Sequence, residues 1–170
     1  MPSADVPVIN RSLFIQTLAK LIDNLGDEDL GIGLLLVDIK GFRKINSVFG
    51  FKKGDQILHE TFSRLKKAFS SGDNVFRLGN DEFAIILPDL LNPNLVNLAA
   101  NKVVNTLSEH YSFGQSNLKL GLNIGSVCLT DKQNANDFLC SAERSLALAK
   151  NSGKTYIVKD FVEEFDDERN

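Results

Sequence analysis

An α+β fold built on a β-α-β-β-α-β core is predicted for this chain of 170 residues. Three observations carry that reading. Apolar runs of strand length alternate with stretches whose apolar residues recur at helical spacing. A Gly-Asn pair separates two strand-like runs, VFRL and DEFAIIL, which is a hairpin signal. Leu118, Leu120, Leu122 and Ile124 alternate strictly, as in a half-buried strand. The expected sheet is mainly antiparallel, with helices on one face or both.

The elements follow in order. Phe14, Leu18, Leu21, Ile22 and Leu25 define a first helix from Ser12, with Gly26 as its C′ residue and GDED (26–29) as a turn. Ile32 to Ile39 reads as a buried strand whose apolar run stops at Asp38. Gly41 to Phe49 forms a short helix broken around Gly50 and Gly54, and Asp55 caps the next, whose stripe is Leu58, Phe62, Leu65 and Phe69. SSGDN (70–74) is a loop before the hairpin, and Pro88 and Pro93 bound another loop after it. Leu95, Ala99, Val103 and Leu107 give a further helix. The alternating strand breaks at Gly125, where a bulge is expected. Phe138, Ala142, Leu146 and Ala149 make a last helix ending near Gly153, and Thr155 to Val158 a final strand.

Composition narrows the function classes. Hydrophobic residues at 43% and charged residues at 24% are ordinary for a globular domain, which excludes a disordered, collagenous or disulfide-scaffold chain. Apolar stretches such as Leu34 to Val37, with Ile32 before it, are far too short to span a membrane, and MPSADVPVIN lacks the features of a signal peptide. Cys128 and Cys140 give no disulfide framework and are expected to pack as small apolar side chains, so a reducing, cytoplasmic setting is expected. His59 and His110 are the only histidines, which supports neither a zinc site nor a Ser/His/Asp triad. Six of the 22 acids and one of the 19 bases fall in residues 160–170, leaving residues 1–159 at a net charge of +2. No nucleic-acid groove is indicated. The expected organisation is a tail over 1–10, one domain over 11–159, and an acidic linker over 160–170 leading to a further domain.

Three groups of residues could carry chemistry. Asp38 ends the first strand, and Asp81 and Glu82 follow the hairpin tip. If that strand and the hairpin are neighbours, the carboxylates meet at one sheet edge and repel unless a cation lies between them; Mg²⁺ does this with one or two carboxylates plus phosphate oxygens. The competing reading makes them loop and turn acids. Asn46 and Asp55 are an amide and a carboxylate able to read a guanine, or else a turn former and an N-cap. Lys150 and Lys154, in AKNSGKT (149–155), could hold phosphates or complement a helix C-terminus. The Walker phosphate loop is excluded, because its first glycine is missing.

Together these pieces resemble the GGDEF family of diguanylate cyclases. The resemblance runs from about Leu13 to Val158 through LLLVDIKGFRKINSVFGFKKGD (34–55), RLGNDEFAIILP (77–88), LNIGSV (122–127) and AERSLALAKNSGK (142–154). It implies a fold like nucleotidyl cyclases and polymerase palms, and the condensation of two GTP into cyclic di-GMP by two copies of the domain facing each other, with Mg²⁺ or Mn²⁺. By resemblance, Asp38, Asp81 and Glu82 are catalytic, and Asp38, Asp81 and the backbone carbonyl of Ile39 are metal ligands. Asn46 and Asp55 match the guanine-reading pair; Phe42, Arg43, Lys150 and Lys154 lie around the triphosphate; Gly79 and Asn80 form the turn the nucleotide approaches.

The chain also departs from that family. Its signature reads Gly79-Asn80-Asp81-Glu82-Phe83, with Asn80 in place of the second glycine. Asparagine tolerates left-handed backbone angles, so the turn is expected to survive, but its side chain projects where GTP comes close. Lys40, Ser47, Phe51, Asn123, Ala147 and Lys154 are further departures. Ser70 and Asp73 stand at the family's product-inhibition site, and without an arginine at the first no tight feedback binding is expected. Three functions follow: a cyclase, slow if the altered turn weakens substrate; a catalytically degenerate GTP-binding domain regulating a neighbour such as a cyclic di-GMP phosphodiesterase; or a protein-contact domain without nucleotide.

Overall fold

A computed structural model describes residues 8–26, 31–69, 74–113, 116–129, 133–152 and 157–158. The elements run α1 (Arg11–Asp23), β1 (Gly31–Ile39), α2 (Phe42–Phe49), α3 (Phe51–Ala68), β2 (Asn74–Arg77), β3 (Glu82–Leu90), α4 (Asn94–Leu107), β4 (Tyr111–Phe113), β5 (Ser116–Leu118), β6 (Leu122–Leu129), α5 (Ala135–Ser152) and β7 (Ile157–Val158). One five-stranded sheet has the order β2-β3-β1-β6-β7, antiparallel except for the β6–β7 pair. β4 and β5 form a separate hairpin. The α+β expectation is correct, and helices cover both faces.

Side-chain alternation along β1 sorts the core into two layers. Leu35, Val37 and Ile39 pack with Phe42, Ile57, Leu65, Val96 and Val103 from α2, α3 and α4. Leu34 and Leu36 face Phe14, Leu18, Phe138 and Leu146 from α1 and α5. Asp38 follows the same alternation, so its carboxylate belongs to the α1/α5 face.

Several local expectations are corrected. The hairpin is wider than a two-residue turn: Leu78–Asp81 separate β2 from β3, and the Leu78 and Gly79 amides both donate to the Glu82 carbonyl, at 2.8 and 3.4 Å. Asp55 does not cap α3, which begins at Phe51 after Gly50, and Gly54 lies inside that helix rather than breaking it. α1 ends at Asp23 with Asn24 as its C-cap, so Gly26 is not the C′ residue. Pro88 lies within β3, where the ladder with β1 shifts register between Gly31 and Gly33, so its missing N–H costs no regular bond. The single alternating strand over 118–124 is two strands, β5 and β6. Gly125 makes no bulge, since the β1–β6 register runs unbroken from Ile32–Leu129 to Ile39–Leu122. Its role is close approach: a Cβ there would run into the backbone of Ala142 and Leu146 in α5. Cys128 is half-buried against the core, but Cys140 is exposed on α5 rather than packed. Among the described residues, no helix is long and apolar enough to cross a membrane.

Candidate functional site

Strand register brings the predicted carboxylates together. Asp38 pairs across β1–β3 with Glu82 and across β1–β6 with Asn123, so three polar side chains form a row across the C-terminal end of β1. The Ile39 amide donates to the Asp81 carbonyl at 3.1 Å, which ties the hairpin loop to the end of β1. Asp38 is buried, and its Oδ2 accepts from Lys150 Nζ at 2.8 Å. Its Oδ1 is buried without a hydrogen-bond partner, as is Oδ1 of Asn123.

The electrostatics match this crowding. Burial first, then the facing Asp38 carboxylate, pushes the Asp81 carboxyl up to about 6. Burial also raises Glu82, against the pull of Lys150. The Lys150 ammonium is raised chiefly by its hydrogen bond to Asp38. A buried carboxylate with one unpartnered oxygen, crowded by the half-buried Asp81 and Glu82, forms a site suited to a cation. Among the described residues no cluster of three or more His, Cys, Asp or Glu side chains could hold a metal alone. Two carboxylates and a backbone carbonyl suit a hard cation that takes its remaining ligands from phosphate and water.

The amide end is built on the corner between α2 and α3. Gly50 turns it with φ of +87°, a left-handed angle that favours glycine, and its amide donates to the Asn46 carbonyl at 2.9 Å. Phe42 is buried under α3, and Arg43 is exposed. The Asn46 side chain lies against Gly54 with its Oδ1 buried and unpartnered; a Cβ at Gly54 would collide with that oxygen. Asp55 is the next residue along α3 and is half-buried.

Arg77 links the two ends, and sequence reasoning missed it. It is 8% exposed at the end of β2, and it donates from Nε to the Gly79 carbonyl at 2.8 Å and from Nη2 to the Asn80 carbonyl at 3.1 Å. Burial lowers its pKa, while the charges of Asp55 and Asp81 oppose that shift. The available signal was a single charged residue inside the apolar run VFRL. Asn123 was noted only as a structural departure; a polar residue at an inward position of a buried strand was its signal.

The signature turn needs no left-handed residue. Among the described residues, positive φ occurs only at Gly41, Gly50 and Asp89, so the expectation that Asn80 relies on such an angle is corrected. The turn holds because Arg77 grips its carbonyls. Asn80 is exposed, and nothing beyond ordinary contact stands over Gly79. Lys40 lays its stem beside Gly121 and donates its amide to the Gly121 carbonyl; the ammonium paired with Asp38 is that of Lys150. Lys154, Ser70 and Asp73 lie outside the described residues, as do residues 160–170.

The family model for the diguanylate cyclase GGDEF domain matches residues 7–156. The chain belongs to the GGDEF family. A diguanylate cyclase, DgcS of Shewanella oneidensis, is 28% identical over 145 residues, covering 85% of this chain and 48% of that protein. The bifunctional diguanylate cyclase/cyclic di-GMP phosphodiesterase MucR of Pseudomonas aeruginosa is 26% identical, over 85% of this chain and 21% of its own length. This GGDEF chain therefore spans about half or less of the curated relatives it matches. Among solved structures, an EAL/GGDEF domain protein from M. capsulatus is 29% identical with a TM-score of 0.71, over 88% of this chain and 97% of that one. The GGDEF domain of YfiN from Pseudomonas aeruginosa superposes with a TM-score of 0.84 at 22% identity, covering 91% of each chain, a likeness of fold alone.

Proposed function

We propose that this GGDEF domain binds GTP with a divalent metal and condenses two GTP into cyclic di-GMP, one GTP being held by each of two copies. The observation that carries the reading is the cluster of Asp38, Glu82 and the loop residue Asp81, with an orphaned Asp38 oxygen and the Asp81 carboxyl raised to about 6. Folding gains nothing from one buried and two half-buried acids crowded together; a cation that joins them gives them a use. Asp38, Asp81 and the Ile39 carbonyl would hold Mg²⁺ or Mn²⁺, which when bound supplies charge to activate a hydroxyl and neutralise phosphate oxygens. Glu82 adds negative potential beside that site. Asn46 and Asp55 face the guanine edge, and the unpartnered Asn46 oxygen is available to an N–H donor of the base. Phe42, Arg43, Lys150 and Lys154 surround the triphosphate, with Gly79 and Asn80 lying over it. The 3′-hydroxyl of one GTP attacks the α-phosphate of the other, and pyrophosphate leaves.

A second reading rests on Asn80. Its side chain stands on an exposed turn that the nucleotide has to approach, so the domain could bind GTP and regulate an adjoining domain with little turnover. The domain limits at 11–159, a further domain after the acidic tail, and a cytoplasmic setting belong to both readings. Thermal unfolding with GTP and Mg²⁺ tests the shared part, since ligand at a hundred times its Kd stabilises by about 2.7 kcal/mol. A rise in Tm that Asp38→Ala removes is expected. An unchanged Tm would favour a protein-contact domain without nucleotide.

A further inference from the structure

Lys150 sits where a metal ion would act, and that position has a consequence for binding order. Its Nζ lies 2.8 Å from Asp38 Oδ2, and the two side chains differ sharply in exposure, 45% for Lys150 and 10% for Asp38. The carboxylate is fixed by the β1–β3 and β1–β6 ladders, whereas the lysine reaches in from the last turn of α5 on a flexible four-carbon stem. One ammonium satisfies one oxygen, and the Asp38 Oδ1 stays without a donor. The row is therefore neutralised in part, by a group that is free to leave.

We propose that Lys150 is a placeholder cation, which pairs with the Asp38 carboxylate in the empty domain and competes there with a divalent metal. The inference rests on the GTP reading only for where the lysine goes next. A triphosphate offers it a second anion, so the nucleotide draws Lys150 off Asp38 as it brings the metal in. Bare metal faces a competing internal charge; metal with nucleotide does not. Metal and nucleotide then reinforce each other's binding, and coupling of this kind is reciprocal. The device also keeps the buried carboxylates from standing wholly unpaired when no substrate is present.

The test is a titration of Mn²⁺ alone, with free ion followed by electron paramagnetic resonance. Wild type and Lys150→Met are compared without nucleotide and then with a non-hydrolysable GTP analogue. Lys150 is half-exposed, so the methionine variant is expected to fold. Without nucleotide, Lys150→Met should bind Mn²⁺ roughly tenfold more tightly than wild type, within the usual range of coupling between sites. Adding Asp38→Asn to that variant should cancel the gain, because the ion sits on that carboxylate. Equal or weaker Mn²⁺ binding by Lys150→Met overturns the placeholder, as does a gain that survives Asp38→Asn. A nucleotide-free difference of the expected size, with no effect of the GTP analogue on wild type, supports the placeholder and instead overturns the GTP reading.

Discussion

The carboxylate end and the amide end of the candidate site are built on different materials. Asp38 and Glu82 project from adjacent strands whose ladder runs unbroken from Gly33 to Asp38, and Asn123 completes the row from a third. Asn46 and Asp55 project from two helices that meet at a glycine corner. The sheet holds repelling acids in place because its backbone bonds and two apolar layers fix the register regardless of charge. The helical corner is held by the buried Phe42 ring and by the Gly50 amide on the Asn46 carbonyl, and it brings the Asn46 side chain hard against Gly54. Most departures from the family's pattern follow the same division: Lys40, Ser47, Phe51 and Asn80 are exposed or half-exposed, whereas Asp38 is buried; Asn123, buried beside Asp38, is the exception. The rim has drifted, and the acids of the floor have stayed.

The largest effect should come from the floor. If Asp38 holds the metal as proposed, Asp38→Ala should lower cyclic di-GMP formation by roughly a hundredfold to a thousandfold, the equivalent of several kcal/mol of charge stabilisation. A variant with wild-type turnover would place the metal elsewhere. Next is the bridge between the ends. Arg77→Met loses two charge-assisted bonds to the hairpin turn, and urea unfolding should register a loss of about 2 kcal/mol. Arg77→Lys should recover only part of it, since an ammonium lacks the planar fork. Unchanged stability would mean that the turn holds itself.

At the amide end, Gly54→Ala should push the Asn46 side chain aside. GTP affinity by calorimetry should drop roughly tenfold, the worth of about one hydrogen bond, while overall stability changes less because alanine favours the helix. Equal affinity would remove Asn46 from base recognition.

A smaller effect separates charge from shape at Asp81. Its folded pKa of about 6 lies above the ordinary carboxylate value, so the folded state holds an extra proton between the two. The stability this brings is complete below the ordinary value and is lost as pH rises through about 6. Asp81→Asn should thus exceed wild type in stability by about 1 kcal/mol at pH 7, after allowance for partial solvent screening, with the difference vanishing near pH 4. A pH-independent difference would show that the carboxylates do not repel. Least of all, Phe51→His on the exposed rim should change stability by no more than about 0.5 kcal/mol in denaturant melts.

Much of this was legible in the chain itself. The apolar run before Asp38, the Gly-Asn pair and the helical stripes predict β1, the hairpin and four of the helices. The meeting of Asp38 with the hairpin acids follows from their being neighbours. Long-range contacts were not legible. Arg77 reads as one more strand residue until its guanidinium is seen on the turn carbonyls. Lys150 reads as a helix-end cation until α5 brings it onto Asp38. Gly54 and Gly125 read as a breaker and a bulge, because a glycine's local freedom is visible in sequence and the close approach of another element is not. The β4–β5 hairpin was missed because each strand is three residues long, too short to show an alternating pattern.

The most direct test of the central claim is product formation by the wild-type domain. Protein at high concentration, so that two copies meet, is incubated with GTP and Mg²⁺ or Mn²⁺, and the nucleotides are separated by anion-exchange chromatography. The account predicts cyclic di-GMP and pyrophosphate, with a rate that rises faster than linearly with protein concentration. GTP that stays intact while bound to the domain would contradict it and leave a nucleotide-sensing module in its place.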